Sequence, residues 1–402
     1  MDDLNKFDTL YGRHGFQFNV RETYAHLPFQ AFWTWVTGKG LPQPKKKALK
    51  LLKRPGPTFL FLHLLFTWSL LIACFVVGYF ALNVIENRFA QVSLIALCWL
   101  ITVNRFRSLQ ATFHYLSHRS IVENISLAKI ASCVFITTPL LYISWHSYCE
   151  SHVRIHHNLK VLCGPDDPDQ KFILRHRFRL GMPEWEFWLR TWLTPFHPRY
   201  LSDMVRDLFS NNFVGPQLGE IIYRTLFITG VVSLTLYFNV LTEFLILFVF
   251  PRLVLFEHSM WLQVLTEHLW LYERNTALTD KQNYGRVTWG RFQGRPPEFT
   301  SFSRSLSWLL KIILYDIPVR LYVYPQDLPN HDFHHRLPRA PYRAIGDTRA
   351  SMEGKESLYG PMYEVWGFYS TLLLLRDHFC NGVRDSFIKK LTLSKPIKET
   401  TQ

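Results

Sequence analysis

Residues 58–82 run for 25 positions without one Asp, Glu, Lys or Arg. A helix of about 20 apolar residues already crosses the hydrocarbon core of a bilayer, so this segment reads as a membrane span. A second apolar run covers 89–103. Its 15 residues are short for a crossing, and the helix is expected to continue through Asn104 and Arg105 toward the headgroups. Residues 221–238 form a third span and 240–256 a fourth, interrupted by Pro251 and Arg252 near its end. The expected fold is an all-α membrane protein, with four transmembrane helices in two hairpins and a cytoplasmic helical cap.

Charge placement sets the expected sidedness. Residues 1–56 carry 10 Lys/Arg against 4 Asp/Glu, and residues 336–402 carry 11 against 7. The turns 83–90 and 239–243 together hold one Lys/Arg. By the positive-inside rule both termini face the cytoplasm. The net charge of +14 flanks apolar spans instead of forming a basic stripe among exposed aromatics, so no nucleic-acid partner is expected. Charged residues make up 19% of the chain, below the roughly 25% of soluble proteins. Six cysteines show no CxxC spacing and read as buried thiols.

Two apolar segments are not counted as spans. Residues 304–323 are broken by Lys311, Asp316 and Arg320 and read as lying along the membrane interface. Residues 127–145 carry Pro139, and their reading depends on the histidines that flank them.

His114 and His118 form HxxxH, His152, His156 and His157 form HxxxHH, and His331, His334 and His335 form HxxHH. These three short windows hold 8 of the 17 histidines, where chance would place fewer than one. Helical positions i and i+4 share a face, so both imidazoles of HxxxH can converge on one ion. Adjacent histidines point about 100° apart, so His156 and His157, like His334 and His335, can address different ions. Three clusters offer more ligands than one ion uses, and two metals are the natural count. Imidazole suits iron, copper, nickel and zinc. Neutral nitrogen ligands leave oxygen chemistry to iron or copper, and spacing alone does not choose. Structural zinc is disfavoured by the absence of cysteine pairs.

All clusters must lie on one side of the membrane. Two spans separate His157 from His331, an even number. Only 127–145 separates His118 from His152, so that segment is expected to dip in and return or lie flat, with Pro139 near its bend. His268, in LTEHLW, lies 12 residues beyond the fourth span, much as His114 lies 11 beyond the second. If both helices continue, the two rings reach a similar height.

With these boxes the chain resembles the membrane fatty-acid desaturase and hydroxylase superfamily, over roughly residues 57–340. Asn158 and the run GPDDPD (Gly164 to Asp169) look like the polar segment that often trails the second box. The first box departs from the HxxGH-type pattern of many members, having Tyr115-Leu116-Ser117. The resemblance implies two non-haem irons held by His114, His118, His152, His156, His157, His268, His331, His334 and His335. It implies reductive activation of molecular oxygen and oxidation of an unactivated C–H bond in a lipid or fatty acyl substrate, with desaturation favoured. Residues 1–56 and 336–402 show no fused cytochrome domain, so a separate electron donor of ferredoxin, rubredoxin or cytochrome b5 type is expected. The implied layout is a cytoplasmic segment 1–56, a catalytic membrane domain 57–340 and a cytoplasmic segment 341–402, with the active site cytoplasmic.

Alternatives within the superfamily are a hydroxylase, a ketolase or a decarboxylating oxidase. A haem-binding membrane electron carrier is more remote, because only His63 lies inside a span. His63 is expected to bond a neighbouring helix. His146 is a candidate for contact behind the ligands, and His258 is expected to partner Glu257 or Arg252. Asp332, Asp166, Asp167 and Asp169 are candidates to orient ligating imidazoles.

Overall fold

The computed structural model describes residues 20–42, 53–381 apart from 354 and 356, and 392–393. Helix accounts for 69% of the fold and strand for 3%. The chain divides into two compact units. The smaller comprises Arg54–Arg154 and Trp192–Leu262, and the larger Met1–Lys53, Ile155–Thr191 and Gln263–Gln402.

Among the described residues four helices are long and apolar enough to cross a membrane: Gly56–Val84, Arg88–Ser117, Leu218–Tyr237 and Leu241–Leu265. The first two are joined by a turn in which Asn87 caps the second helix, its side chain accepting from the Ala90 N–H. Gln91 donates back to the Ala81 carbonyl, and Ala81 and Ile95 pack on Leu247 of the fourth helix. Gly78 makes that approach possible, since a Cβ there would stand 2.6 Å from Leu247 Cδ2. Phe61, Leu62, Phe66 and Ile72 face outward, a surface suited to hydrocarbon and not to water.

The fourth helix runs further than the sequence suggests. Pro251 lacks an N–H and cannot close an ordinary helical turn. The ladder loosens into π-helix over Leu245–Val249 and Pro251–Leu255 and then continues as α-helix to Leu265. Arg252 does not end the span. It is buried against Glu257 at 2.8 Å and above the Phe256 ring at 4.5 Å.

Segment 127–145 makes no helical crossing. An α-helix of 8 residues, Ile125–Ser132, passes into 5 of π-helix, Cys133–Thr137, too few to span. The chain then turns at Pro139, with Leu141 at φ 50. The carbonyls exposed by this turn find donors in the same unit: Arg252 Nε on Leu140 O, Asn212 Nδ2 on Leu141 O and Arg224 Nη1 on Tyr142 O. Buried backbone carbonyls need such partners, which gives this unit's interior arginines a structural role.

In the larger unit, Val20, Tyr24, Val36, Phe292, Trp308, Ile312 and Trp366 form a core. Strand Gly290–Phe292 pairs in parallel with Tyr363–Trp366, which pairs antiparallel with Thr392–Leu393. Helix Phe302–Lys311 and the π-helix Ile312–Asp316 that follows turn Trp308 and Ile312 inward. Phe302, Leu306, Leu309, Ile313 and Leu314 face outward. The short helix Gln30–Thr37 ends on Gly38 at φ 73, where a Cβ would meet Pro329 Cγ at 2.5 Å. That close approach brings the N-terminal segment onto the third histidine box, where Asn330 Nδ2 donates to Gly38 O.

Candidate metal centre

The smaller unit gathers three histidines. His114 lies in the last turn of Arg88–Ser117, and His118 caps that helix four residues on. His152 lies on the π-helix Cys149–His156, a conformation frequent at functional sites. Ring centroids are 5.1 Å apart for His114–His118, 4.6 Å for His114–His152 and 5.5 Å for His118–His152. Their ligand-capable nitrogens all lie within 4.8 Å of one another. Tyr148 stacks on His152 and places its hydroxyl 3.2 Å from His114 Nδ1.

The larger unit gathers the other six sequence-selected histidines. His156, His268, His331 and His335 are all buried, and their ligand-capable nitrogens lie within 4.8 Å of one another. His331 Nε2 is 3.2 Å from His268 Nε2 and 2.9 Å from His335 Nε2. The third box forms the helix His331–Arg336. His268 stands beyond the end of its helix, in a β-bridge with Thr288. The expected continuation of helix through His268 is therefore corrected: the chain turns after Leu265 and becomes extended. His157 and His334 face each other with centroids 4.9 Å apart, and His157 also stacks on His335 at 4.3 Å.

What lies behind these rings assigns their tautomers. Asp167 Oδ1 is 3.0 Å from His156 Nδ1, and the Val287 carbonyl is 3.3 Å from His268 Nδ1. Carboxylate and carbonyl oxygens only accept, so the proton belongs on Nδ1 in both rings, and each neutral ring turns the Nε2 lone pair toward the cluster. Lone pairs converging in a buried space repel one another unless a cation stands between them. This donor set fits a metal ion, and acceptors behind Nδ1 are the usual support of metal-binding histidines.

Electrostatics agree with that reading. Burial holds His268 and His335 well below the ordinary histidine range, and neighbouring imidazoles lower them further. Both stay neutral, as ligands must. At His156 burial also opposes protonation. Asp167 and Asp169 outweigh it and lift the pKa to about 9, so without a cation this ring carries a second proton on Nε2, and an ion binding there would displace that proton to free the lone pair. Glu267 adds a carboxylate 3.9 Å from His331 Nε2, beside Arg291.

The remaining candidates divide. Asp167 is fully buried and also accepts from the Cys163 and Asp169 N–H groups. Asp169 reaches His156 at 3.3 Å, whereas Asp166 faces Lys171. Asp332 orients no imidazole and instead takes a bidentate pair from Arg349. His63 bonds Thr112 Oγ1 on the second span at 3.0 Å. His146 is exposed, and His258 packs on the Trp192 and Phe196 rings while Glu257 takes Arg252. Sequence reasoning passed over Tyr148, Tyr284 and Glu267. A tyrosine outside any motif gives no signal, whereas Glu267 gives one, as a carboxylate adjoining His268 in an apolar stretch.

The family model described as Fatty acid desaturase matches residues 90–365, more than half the chain and a range containing all nine histidines. No curated protein matches this sequence.

Proposed function

The chain belongs to the fatty acid desaturase family, and from that premise we propose that it is an integral membrane di-iron oxidoreductase acting on a lipid or fatty acyl chain. The buried quartet His156, His268, His331 and His335, with Asp167 behind His156 and Val287 O behind His268, is the observation that carries this reading. In the proposal these four hold one iron. Iron bound there would supply the reduction of oxygen and the power to take hydrogen from an unactivated C–H bond.

The protein's own part is support and exclusion. Asp167 and Val287 O fix ring tautomers, and burial of the quartet keeps bulk water from the cluster. Substrate position decides between a second hydrogen loss, giving an alkene, and oxygen insertion, giving an alcohol. We favour desaturation. Hydroxylase, ketolase and decarboxylating activity are the readings it competes with inside the family. Electrons are proposed to come from a separate ferredoxin, rubredoxin or cytochrome b5 type donor.

We further propose that the four spans form two hairpins, with both termini and the histidines cytoplasmic. The layout 1–56, 57–340 and 341–402 is retained as the functional division. The test is expression in a host with a known lipid profile, followed by mass spectrometry of total fatty acids. New acyl species lacking two hydrogens, absent from a His331→Ala strain, support desaturation. Species gaining one oxygen favour the hydroxylase reading. No change in any lipid class, with protein present in the membrane, contradicts both.

A further inference from the structure

Tyr284 belongs to no motif, yet its hydroxyl lies 2.7 Å from His335 Nδ1 and 3.5 Å from the backbone carbonyl of His157. The side chain is buried on the helix Asp280–Arg286, which opens with a capping box between Thr279 and Gln282. The next residue, Gly285, admits the backbone of Tyr359, since a Cβ there would stand 2.0 Å from Tyr359 O. The Tyr359 ring packs 6.0 Å from that of Tyr284. The ring is walled in, and its hydroxyl is held where the second and third boxes meet within this unit.

We propose that Tyr284 is a positioning residue for the metal set, holding His335 with its proton on Nδ1 and its Nε2 lone pair toward the ion. The inference rests on the metal reading above. A phenol hydroxyl both donates and accepts. The His157 carbonyl can only accept, so it takes the tyrosine proton, and the phenol oxygen is left to accept from His335 Nδ1–H. The reverse arrangement would place a proton on His335 Nε2, pointing at His331 Nε2 only 2.9 Å away, and would shut an ion out. Tyr284 thus does for His335 what Asp167 does for His156 and Val287 O does for His268. It also ties the backbone of His157 to the third box.

The test is a titration of metal-free, detergent-purified protein with Co2+, followed by its visible ligand-field bands. Tyr284→Phe keeps the ring and removes the hydroxyl. The control is Tyr324→Phe, which removes another buried hydroxyl of the same unit, bonded to Thr266 Oγ1. Loss of such support weakens metal binding by about 10- to 100-fold. The expected result is that loss for one of two cobalt ions in Tyr284→Phe, with altered bands, while Tyr324→Phe matches wild type. Wild-type affinity and bands in Tyr284→Phe overturn the proposal alone. A wild type that binds no cobalt overturns the metal reading and this inference with it. If Tyr284→Phe does not fold, 4-aminophenylalanine and 4-methylphenylalanine at the same position decide. They fill similar volumes, and only the amine can hydrogen-bond. Tighter cobalt binding with the amine supports the proposal, and equal binding overturns it.

Discussion

Replacing Arg349 with Met should loosen the third histidine box without touching a histidine. The helix His331–Arg336 has 6 residues, far below the length at which a helix sustains itself in isolation. Its second residue, Asp332, is fully buried, and Arg349 grips it through Nε–Oδ1 and Nη2–Oδ2 contacts of 2.9 Å each. The same guanidinium bonds Glu353 at 2.6 Å and Tyr363 O at 3.1 Å. Lys39 bridges Glu353 and Glu364 at 3.0 and 2.6 Å. Two cations thus serve three carboxylates. Removing one partner of a buried pair costs about 3–5 kcal/mol, because the other charge is left buried and uncompensated. In a unit of this size each kcal/mol shifts the melting temperature by about 2–4 °C, so Arg349→Met should melt on the order of 10 °C lower. The assay is thermal unfolding of metal-free protein in detergent, which keeps metal binding out of the comparison. Adding Asp332→Asn to Arg349→Met should recover part of the loss, since the stranded carboxylate disappears. An Arg349→Met melting point within about 2 °C of wild type, or a double variant worse than the single one, would refute the reasoning.

Three further outcomes are expected. Burial raises Asp316 from 3.8 to about 6 against the pull of Arg295. The folded state therefore binds a proton that the unfolded state has released, and stability falls by up to about 3 kcal/mol as pH rises from about 4 to about 6. Comparing melting across that range, Asp316→Asn should flatten the slope, and an unchanged slope counts against the assignment. Gly285→Ala should destabilise by about 1–3 kcal/mol or more, because its Cβ meets Tyr359 O at 2.0 Å; a melting curve like wild type would contradict this. Asp167→Asn should weaken zinc binding by about 10- to 100-fold in a chelator competition, since it supports His156 and accepts from two backbone N–H groups; unaltered affinity would remove Asp167 from that role.

The spans were legible because a long uncharged run has few alternatives, and Gly56–Val84 brackets the run 58–82. The fourth span was read nine residues short, because Pro251 and Arg252 look like a terminus. The structure instead absorbs the missing N–H in π-helix and covers the arginine with Glu257 and Phe256. Strands Gly290–Phe292 and Tyr363–Trp366 are too short for a two-residue period to show, and they pair across some 70 residues of chain. The histidines were visible through spacing, since i and i+4 on one face is a local property. What stands behind them was visible only where it was also local: Asp167 lies 11 residues from His156, whereas Tyr284 lies 51 from His335. Asp332 shows the limit of such reasoning, since adjacency to His331 suggested a contact with imidazole and Arg349 claims it instead.

The most direct test of the central claim is iron content per chain, measured by mass spectrometry on protein purified without oxygen from iron-replete cells. The account predicts two irons in the wild type. It predicts loss of one on His268→Ala with His331→Ala, and loss of the other on His114→Ala with His118→Ala. Negligible iron in folded wild-type protein that also cannot be reloaded, or two irons surviving both double substitutions, would contradict it.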